Sequence, residues 1–110
     1  MISLSVYLTP KAGRAADLER EIAQSWMAAM ARQPGFLWGA MQTPYPDEDL
    51  AAMNAARPSC TFEVVSYWSS EQERVEWVAR DVHQEVWPRV MEQAQSVTYT
   101  LFTCGRTWGR

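Results

Sequence analysis

His83 is the residue of this 110-residue chain best suited to proton transfer, because it is the only histidine and an ordinary imidazole titrates near neutral pH. In a functional site it would accept a proton from a phenolic substrate or donate a hydrogen bond to it. The alternative is a structural or surface histidine, since the sequence shows no partner for it. His83 follows Trp77 by six residues, which on a helix places it about 240° further round.

Tryptophan is abundant, with six residues in the chain, and large aromatic side chains form either a core or the walls of a pocket. Four tryptophans on predicted helices and strands are candidates for substrate binding: Trp26, Trp38, Trp77 and Trp87. Three tyrosines could add a hydroxyl group to the same pocket: Tyr7, Tyr67 and Tyr99. The alternative is core packing for each tryptophan and a half-exposed strand position for each tyrosine.

Composition excludes several other kinds of site. A net charge of −3 argues against a nucleic-acid or acidic-membrane surface. One histidine and two cysteines provide no zinc-binding spacing, and the chain has neither a dinucleotide-binding glycine motif nor a P-loop. No apolar run approaches the roughly 20 residues of a membrane-spanning helix. The strand-like start lacks the basic region of a signal peptide, so we expect a cytoplasmic protein.

Hydrophobic spacing divides the chain into strands and helices. Strands are predicted at Ile2 to Thr9, Phe36 to Gln42, about 60–68 and Val97 to Cys104. A first helix is predicted over 14–33, because apolar residues recur there at helical spacing and Pro34-Gly35 ends it.

The second helix begins at Ser69 or Ser70, because each is followed three residues later by a glutamine or glutamate, as in a capping box. Behind this cap, valines recur at steps of three and four and predict one helical face: Val75, Val78, Val82, Val86 and Val90. His83 lies off this face. Pro88 lacks an N–H group, so we predict a kink or break near Trp87.

Residues 43–59 contain three prolines and are too long for a plain hairpin. Asp47 could cap a short helix over Glu48 to Ala56. One interpretation is a surface insertion, and the functional alternative is a lid over a pocket.

The order of elements, β-α-β-(loop)-β-α-β, predicts a single α+β domain over 1–110 with the ferredoxin-like split βαβ arrangement. Its sheet would be antiparallel with the strand order 4-1-3-2. Cys60 and Cys104 would then lie on strands two spacings apart, about 9.6 Å, which is beyond the reach of a disulfide.

The second and third strands carry apolar residues at both odd and even positions, from Phe36 to Met41 and from Phe62 to Tyr67. A sheet that is apolar on both faces must be covered on both. Two helices cover one face, and a second copy of the chain is the simplest way to cover the other, because most soluble oligomers are homo-oligomers. We therefore predict a homodimer formed through the sheet.

The segment Tyr67-Trp68-Ser69-Ser70-Glu71, followed by Trp77 and then Asp81-Val82-His83, resembles the antibiotic biosynthesis monooxygenase family. The turns Lys11-Ala12-Gly13 and Pro34-Gly35-Phe36 extend the resemblance to most of the chain outside 43–59. The resemblance implies a dimeric α+β barrel with a pocket between sheet and helices in each subunit. It also implies oxygenation of an aromatic polyketide-like or quinol substrate with O2 and no metal or flavin cofactor. The substrate anion would itself reduce oxygen, and the protein would hold it and exclude water.

A haem-degrading branch of similar proteins has an asparagine on the first strand, a tryptophan on the second helix and a histidine ligand further along that helix. Trp77 matches the tryptophan, whereas Val6 stands near the asparagine position and Trp87 near the ligand position, four residues after His83. The resemblance therefore implies haem degradation less strongly, while His83, one turn before the ligand position, leaves haem binding as an alternative. A non-catalytic, small-ligand-binding or stress-associated dimer is a further alternative, because one fold hosts many functions.

Overall fold

Four antiparallel strands form one sheet in the order β2-β3-β1-β4 in the computed structural model, which describes residues 1–109. The strands are β1 (Ile2–Pro10), β2 (Phe36–Gln42), β3 (Phe62–Trp68) and β4 (Ala94–Thr103). The predicted ferredoxin-like α+β fold and its strand order are confirmed.

The helices are α1 (Ala15–Arg20), a π-helical segment (Glu21–Met27), α2 (Ala28–Met30), α3 (Asp47–Ala52), α4 (Glu71–Ala79) and α5 (Asp81–Gln93). The first three are consecutive and form one continuous helical region from Ala15 to Met30, within the helix predicted over 14–33. None of the helices within residues 1–109 combines the length and apolarity needed to cross a bilayer.

The insertion contains the short helix α3, but Asp47 does not cap it. Pro46 occupies the N-cap position and makes no side-chain cap. The carboxylate of Asp47 pairs instead with the guanidinium of Arg57 at 3.1 Å. The ion pair joins the two ends of the insertion.

The core lies between the sheet and the helices, because alternate residues of β1 and β3 point to that face. Val6 stands opposite Val64, and Leu8 opposite Phe62. The buried apolar residues are Leu4, Val6, Leu8, Leu18, Ile22, Trp26, Met30, Phe62, Val64, Trp68, Trp77, Val86, Val90 and Ala94.

The second helical region breaks at Arg80, and the break predicted near Trp87 is wrong. Arg80 has extended backbone angles, φ −74° and ψ 151°, and separates α4 from α5. Helix α5 continues through Pro88 to Gln93. Proline removes the helical donor for the carbonyl of Gln84, but Gln84 is exposed, so water can replace that donor.

The break divides the predicted valine face. Val86 and Val90 on α5 are buried in the core, whereas Val75 on α4 is 50 % exposed. Val78 and Val82 are partly buried against the core. The valines therefore belong to two helices that are oriented independently.

The start of α4 is held by a glycine turn. Ser70 caps the helix by accepting a hydrogen bond from the N–H of Glu73 at 3.2 Å, and the Ser69 hydroxyl donates to the Glu73 carboxylate. Gly35 has a φ of +85°, and a β-carbon there would lie 1.5 Å from Oε2 of Glu73. Only glycine fits both the backbone conformation and this close approach.

The opposite face of the sheet is of mixed polarity, and no element within residues 1–109 covers it. The strand register places Ser3, Ser5, Glu63, Thr98 and Thr100 on it beside the apolar residues. Trp38 is 56 % exposed and Phe102 60 %, while Val65 and Tyr67 between them are half-buried. This is the face through which the sequence predicts a homodimer.

Candidate functional site

An open pocket of about 220 Å³ lies between the helix-covered face of the sheet and the helices. Its aromatic and polar wall is formed by Trp26, Arg74, His83, Trp87 and Tyr99. Apolar side chains complete it: Leu4 and Val6 from β1 and Val78 from α4. Ligand pockets usually measure roughly 300–1,000 Å³, so this pocket suits a small planar molecule or one end of a larger one.

His83 reaches the pocket because α5 begins afresh after Arg80. His83 is the third residue of α5 and is only 8 % exposed. Its Nδ1 atom is buried and has no hydrogen-bond partner among residues 1–109. Because the buried Nδ1 is closed off from a ligand, Nε2 is the ring nitrogen that a ligand in the pocket can contact.

Aromatic rings surround the imidazole on two sides. Trp77 packs edge-on against His83, with ring centroids 4.9 Å apart and an interplanar angle of 89°. Trp87 stacks on it at 6.0 Å and 20°. Trp26 in turn packs on Trp87 at 4.9 Å. The four rings form one cluster that fixes the position of the imidazole.

The surroundings of His83 favour its neutral form. Burial lowers the pKa of the imidazole below its usual value of 6.5, and the positive charge of Arg74 lowers it further. Near neutral pH the ring is therefore uncharged and able to accept a proton.

Trp26 is carried by the π-helical segment. Leu18, Ile22 and Trp26 recur every fourth residue and are all buried, so this stripe packs on the core. A π-helical turn is rare and frequently occurs at a functional site. Within residues 1–109 the indole Nε1 of Trp26 is buried without a partner.

Arg74 is a pocket residue that the sequence reading missed. Its Nε donates to Oε2 of Glu71 at 2.8 Å and its Nη2 to Oε1 at 2.6 Å. This bidentate bond raises the pKa of Arg74 and lowers that of Glu71. In the sequence, Glu71 and Arg74 resemble an ordinary solvated i, i+3 pair. The only signal was that Arg74 lies one turn before Trp77.

Strand register explains where the predicted tyrosines lie. Tyr99 stands opposite Val6 across the β1–β4 pair, so it shares the helix-covered face and lines the pocket at the exposed sheet edge. Tyr67 stands opposite Ser3 on the other face, with Trp38, at a ring-centroid distance of 5.7 Å.

The structure thus brings four of the eight predicted site residues to the pocket wall: Trp26, His83, Trp87 and Tyr99. Trp77 lies behind His83 and supports it. Tyr7, Trp38 and Tyr67 do not reach the pocket, because their strand positions face the opposite side of the sheet.

A second depression, of about 250 Å³, lies where the insertion joins the sheet and includes Tyr45, Cys60 and Glu63. Cys60 and Cys104 are free thiols. Burial raises the pKa of the Cys60 thiol, which disfavours a reactive thiolate. The aromatic pocket beside His83 is therefore the stronger candidate site.

No protein-family model matches the chain, and no curated protein matches it. Solved structures, in contrast, do match the chain. SnoaB, a cofactor-independent oxygenase from Streptomyces nogalater, is 16 % identical, with a TM-score of 0.75 over 99 % of this chain and 97 % of SnoaB.

Two further structures cover nearly the whole chain. A Deinococcus radiodurans protein provisionally described as an antibiotic biosynthesis monooxygenase is 14 % identical, with a TM-score of 0.74 over 100 % of this chain and 98 % of that one. A dimeric ferredoxin-like protein of unknown function from Thermobifida fusca is 12 % identical, with a TM-score of 0.72 over 94 % and 90 %. At such identities the likeness establishes the fold, which is the ferredoxin-like α+β fold of SnoaB and of proteins described as antibiotic biosynthesis monooxygenases.

Proposed function

We propose that the chain is a cofactor-independent monooxygenase that oxidises a small phenolic or quinol-like aromatic molecule with O2. The observation that carries this proposal is a buried, uncharged imidazole in the wall of an aromatic pocket. The likeness in fold to SnoaB, a cofactor-independent oxygenase, supports the same class of reaction.

In the proposed reaction, Nε2 of His83 accepts the proton of an acidic hydroxyl or CH group of the bound substrate. The resulting anion is electron-rich and reduces O2. A ring CH2 group becomes C=O, one oxygen atom enters the product, and the other leaves as water. Trp26 and Trp87 contact the imidazole cluster and would hold the aromatic rings while excluding water.

The proposed working form is a homodimer in which two sheets pack through their uncovered faces. Exposed Trp38 and Phe102 supply the apolar surface, and a structural neighbour is described as dimeric.

Oxygen consumption with 1,8-dihydroxyanthrone at pH 7 tests the proposal, with the rate in buffer subtracted. We expect turnover by the wild type and a loss of about 100-fold or more in kcat for His83→Ala, as is typical for removal of a general base. Trp87→Phe should raise KM, whereas the matched control Trp108→Phe, in a side chain 88 % exposed, should not.

Absence of oxygen uptake, or an unchanged rate in His83→Ala, would contradict the proposal. Saturable binding of the anthrone without uptake would instead support a ligand-binding dimer. A saturable Soret shift on titration with hemin would favour the haem-binding alternative.

A further inference from the structure

The wall of the aromatic pocket contains one formally charged side chain among the described residues, that of Arg74. Its side chain is only 15 % exposed. A cationic group with so little access to water interacts strongly with any charge that forms nearby, because solvent screening is reduced. A pocket that bound only uncharged aromatic rings would not need a buried guanidinium group in its wall.

Glu71 fixes the orientation of this guanidinium. The bidentate hydrogen bonds occupy Nε and Nη2 and leave Nη1 without a protein acceptor within residues 1–109. Glu71 is more exposed than Arg74, 48 % against 15 %, so water screens its negative charge more effectively. The pair therefore presents a positive end to the pocket and a negative end to solvent.

Three other titratable groups interact with Arg74 or border its end of the pocket: Glu71 on α4, His83 on α5 and Tyr99 on β4. The pKa of His83 is lowered partly by the charge of Arg74, which indicates that this charge is felt inside the pocket. Before proton transfer the imidazole is neutral, so Arg74 is then the only one of the pocket-lining groups that carries a positive charge.

We infer that Arg74 is an anion-holding, positioning residue, and that the substrate binds with its acidic phenolic hydroxyl between His83 and Arg74. The proton of this hydroxyl passes to Nε2 of His83, and the negative charge left on the oxygen pairs with Nη1 of Arg74. The inference rests on the proposed function and adds the residue that holds the substrate, Arg74, which pairs with the phenolic oxygen as its oxyanion.

A chromogenic phenol, 4-nitro-1-naphthol, tests this inference, because its phenol and phenolate forms absorb at different wavelengths. Absorbance titration from pH 5 to 9 with saturating protein gives the pKa of the bound probe. An opposite charge within about 4–6 Å lowers a pKa by roughly 1–3 units. Allowing for Glu71 and the open pocket, we expect the bound probe to ionise about tenfold more readily in the wild type than in Arg74→Met.

Arg74→Lys should retain most of the effect, because it keeps the charge. The matched control Arg89→Met removes an arginine of an exposed ion pair on α5, outside the pocket, and should leave the probe pKa unchanged. Arg74→Gln is the second neutral variant, and circular dichroism checks that each variant is folded.

An equal probe pKa in wild type, Arg74→Met and Arg74→Gln would overturn the inference, as would failure of the wild type to bind the probe. A loss of affinity that is the same for the phenol and for its methyl ether would also overturn it, since it would show that Arg74 only stacks on the ring. These outcomes are separate from oxygen consumption. A protein that takes up no oxygen but shows the Arg74-dependent pKa would refute the monooxygenase proposal alone.

Discussion

Gly35→Ala should destabilise the fold more than an ordinary glycine replacement, because two costs combine there. A non-glycine residue in the left-handed region costs about 1–2 kcal/mol. The new β-carbon would also meet Glu73, at 1.5 Å from Oε2 and 2.7 Å from the β-carbon of Glu73. Rotation of the carboxylate relieves the first contact only, since the second atom is attached to the α4 backbone. The start of α4 must therefore shift, and loss of the Ser69–Glu73 hydrogen bond adds about 0.5–1.5 kcal/mol.

Gly13→Ala is the matched control. Gly13 has a similar φ of +75°, but nothing lies within 4 Å of the position that a β-carbon would take there, so only the conformational cost of about 1–2 kcal/mol applies. Urea unfolding followed by circular dichroism should therefore show Gly35→Ala to be less stable than Gly13→Ala by about 1 kcal/mol or more. Gly35→Ala should also weaken binding of an aromatic probe, because α4 carries Arg74 and Trp77. Equal destabilisation by the two substitutions would refute the view that this contact positions α4.

Two further perturbations have clear expected outcomes. His83 has a pKa below 6.5 in the folded protein, so as the pH falls from 7.5 to 5 the unfolded chain gains the proton more readily and the folded state loses stability, by at most about 1.4 kcal/mol per pH unit for one group. The free energy of unfolding should therefore depend less on pH in His83→Gln across this range, and parallel curves for the two proteins would contradict the assignment of a depressed pKa. Trp38→Asp places a charge on the uncovered sheet face, so light scattering should show the mass fall from twice the 12.6 kDa chain mass to a single chain. Trp108→Asp in the exposed tail should leave the mass unchanged, and a wild type already at the single-chain mass would contradict the dimer.

The fold was predictable because local patterns and global arrangement agree. Alternating residues from Ile2 to Thr9 specify a strand, and the Ser70 cap marks the start of α4. The element order then specifies the sheet, because the connections leave few topologies.

The site was less predictable because it depends on how each helix is rotated about its own axis, and the spacing of hydrophobic residues does not specify that rotation. Arg80 is neither proline nor glycine, so nothing in the sequence marks the helix break there. That break allows the side chain of His83 to point towards the core. The π-helical segment that carries Trp26 is similarly invisible, since its residues also fit an α-helix. Residue type alone predicts that Trp38 and Tyr67 lie in the pocket, whereas strand register places them on the other face.

Arg74 could be recognised only from the assembled structure. An i, i+3 pair with Glu71 is usually a solvated surface feature. Here α4 turns the guanidinium end of the pair inward, and no local pattern distinguishes these two orientations.

The single extended residue at Arg80 allows the two halves of the pocket to vary separately. A continuous helix would lock the angular positions of Arg74 and His83 together, so any change in helix length or tilt would displace both. With the break, a substitution at Arg74 or Val78 on α4 changes the charge or width of the pocket while the imidazole keeps its contacts with Trp77 and Trp87. Related chains could therefore exchange one ligand preference for another through α4 alone, with the proton acceptor on α5 left intact.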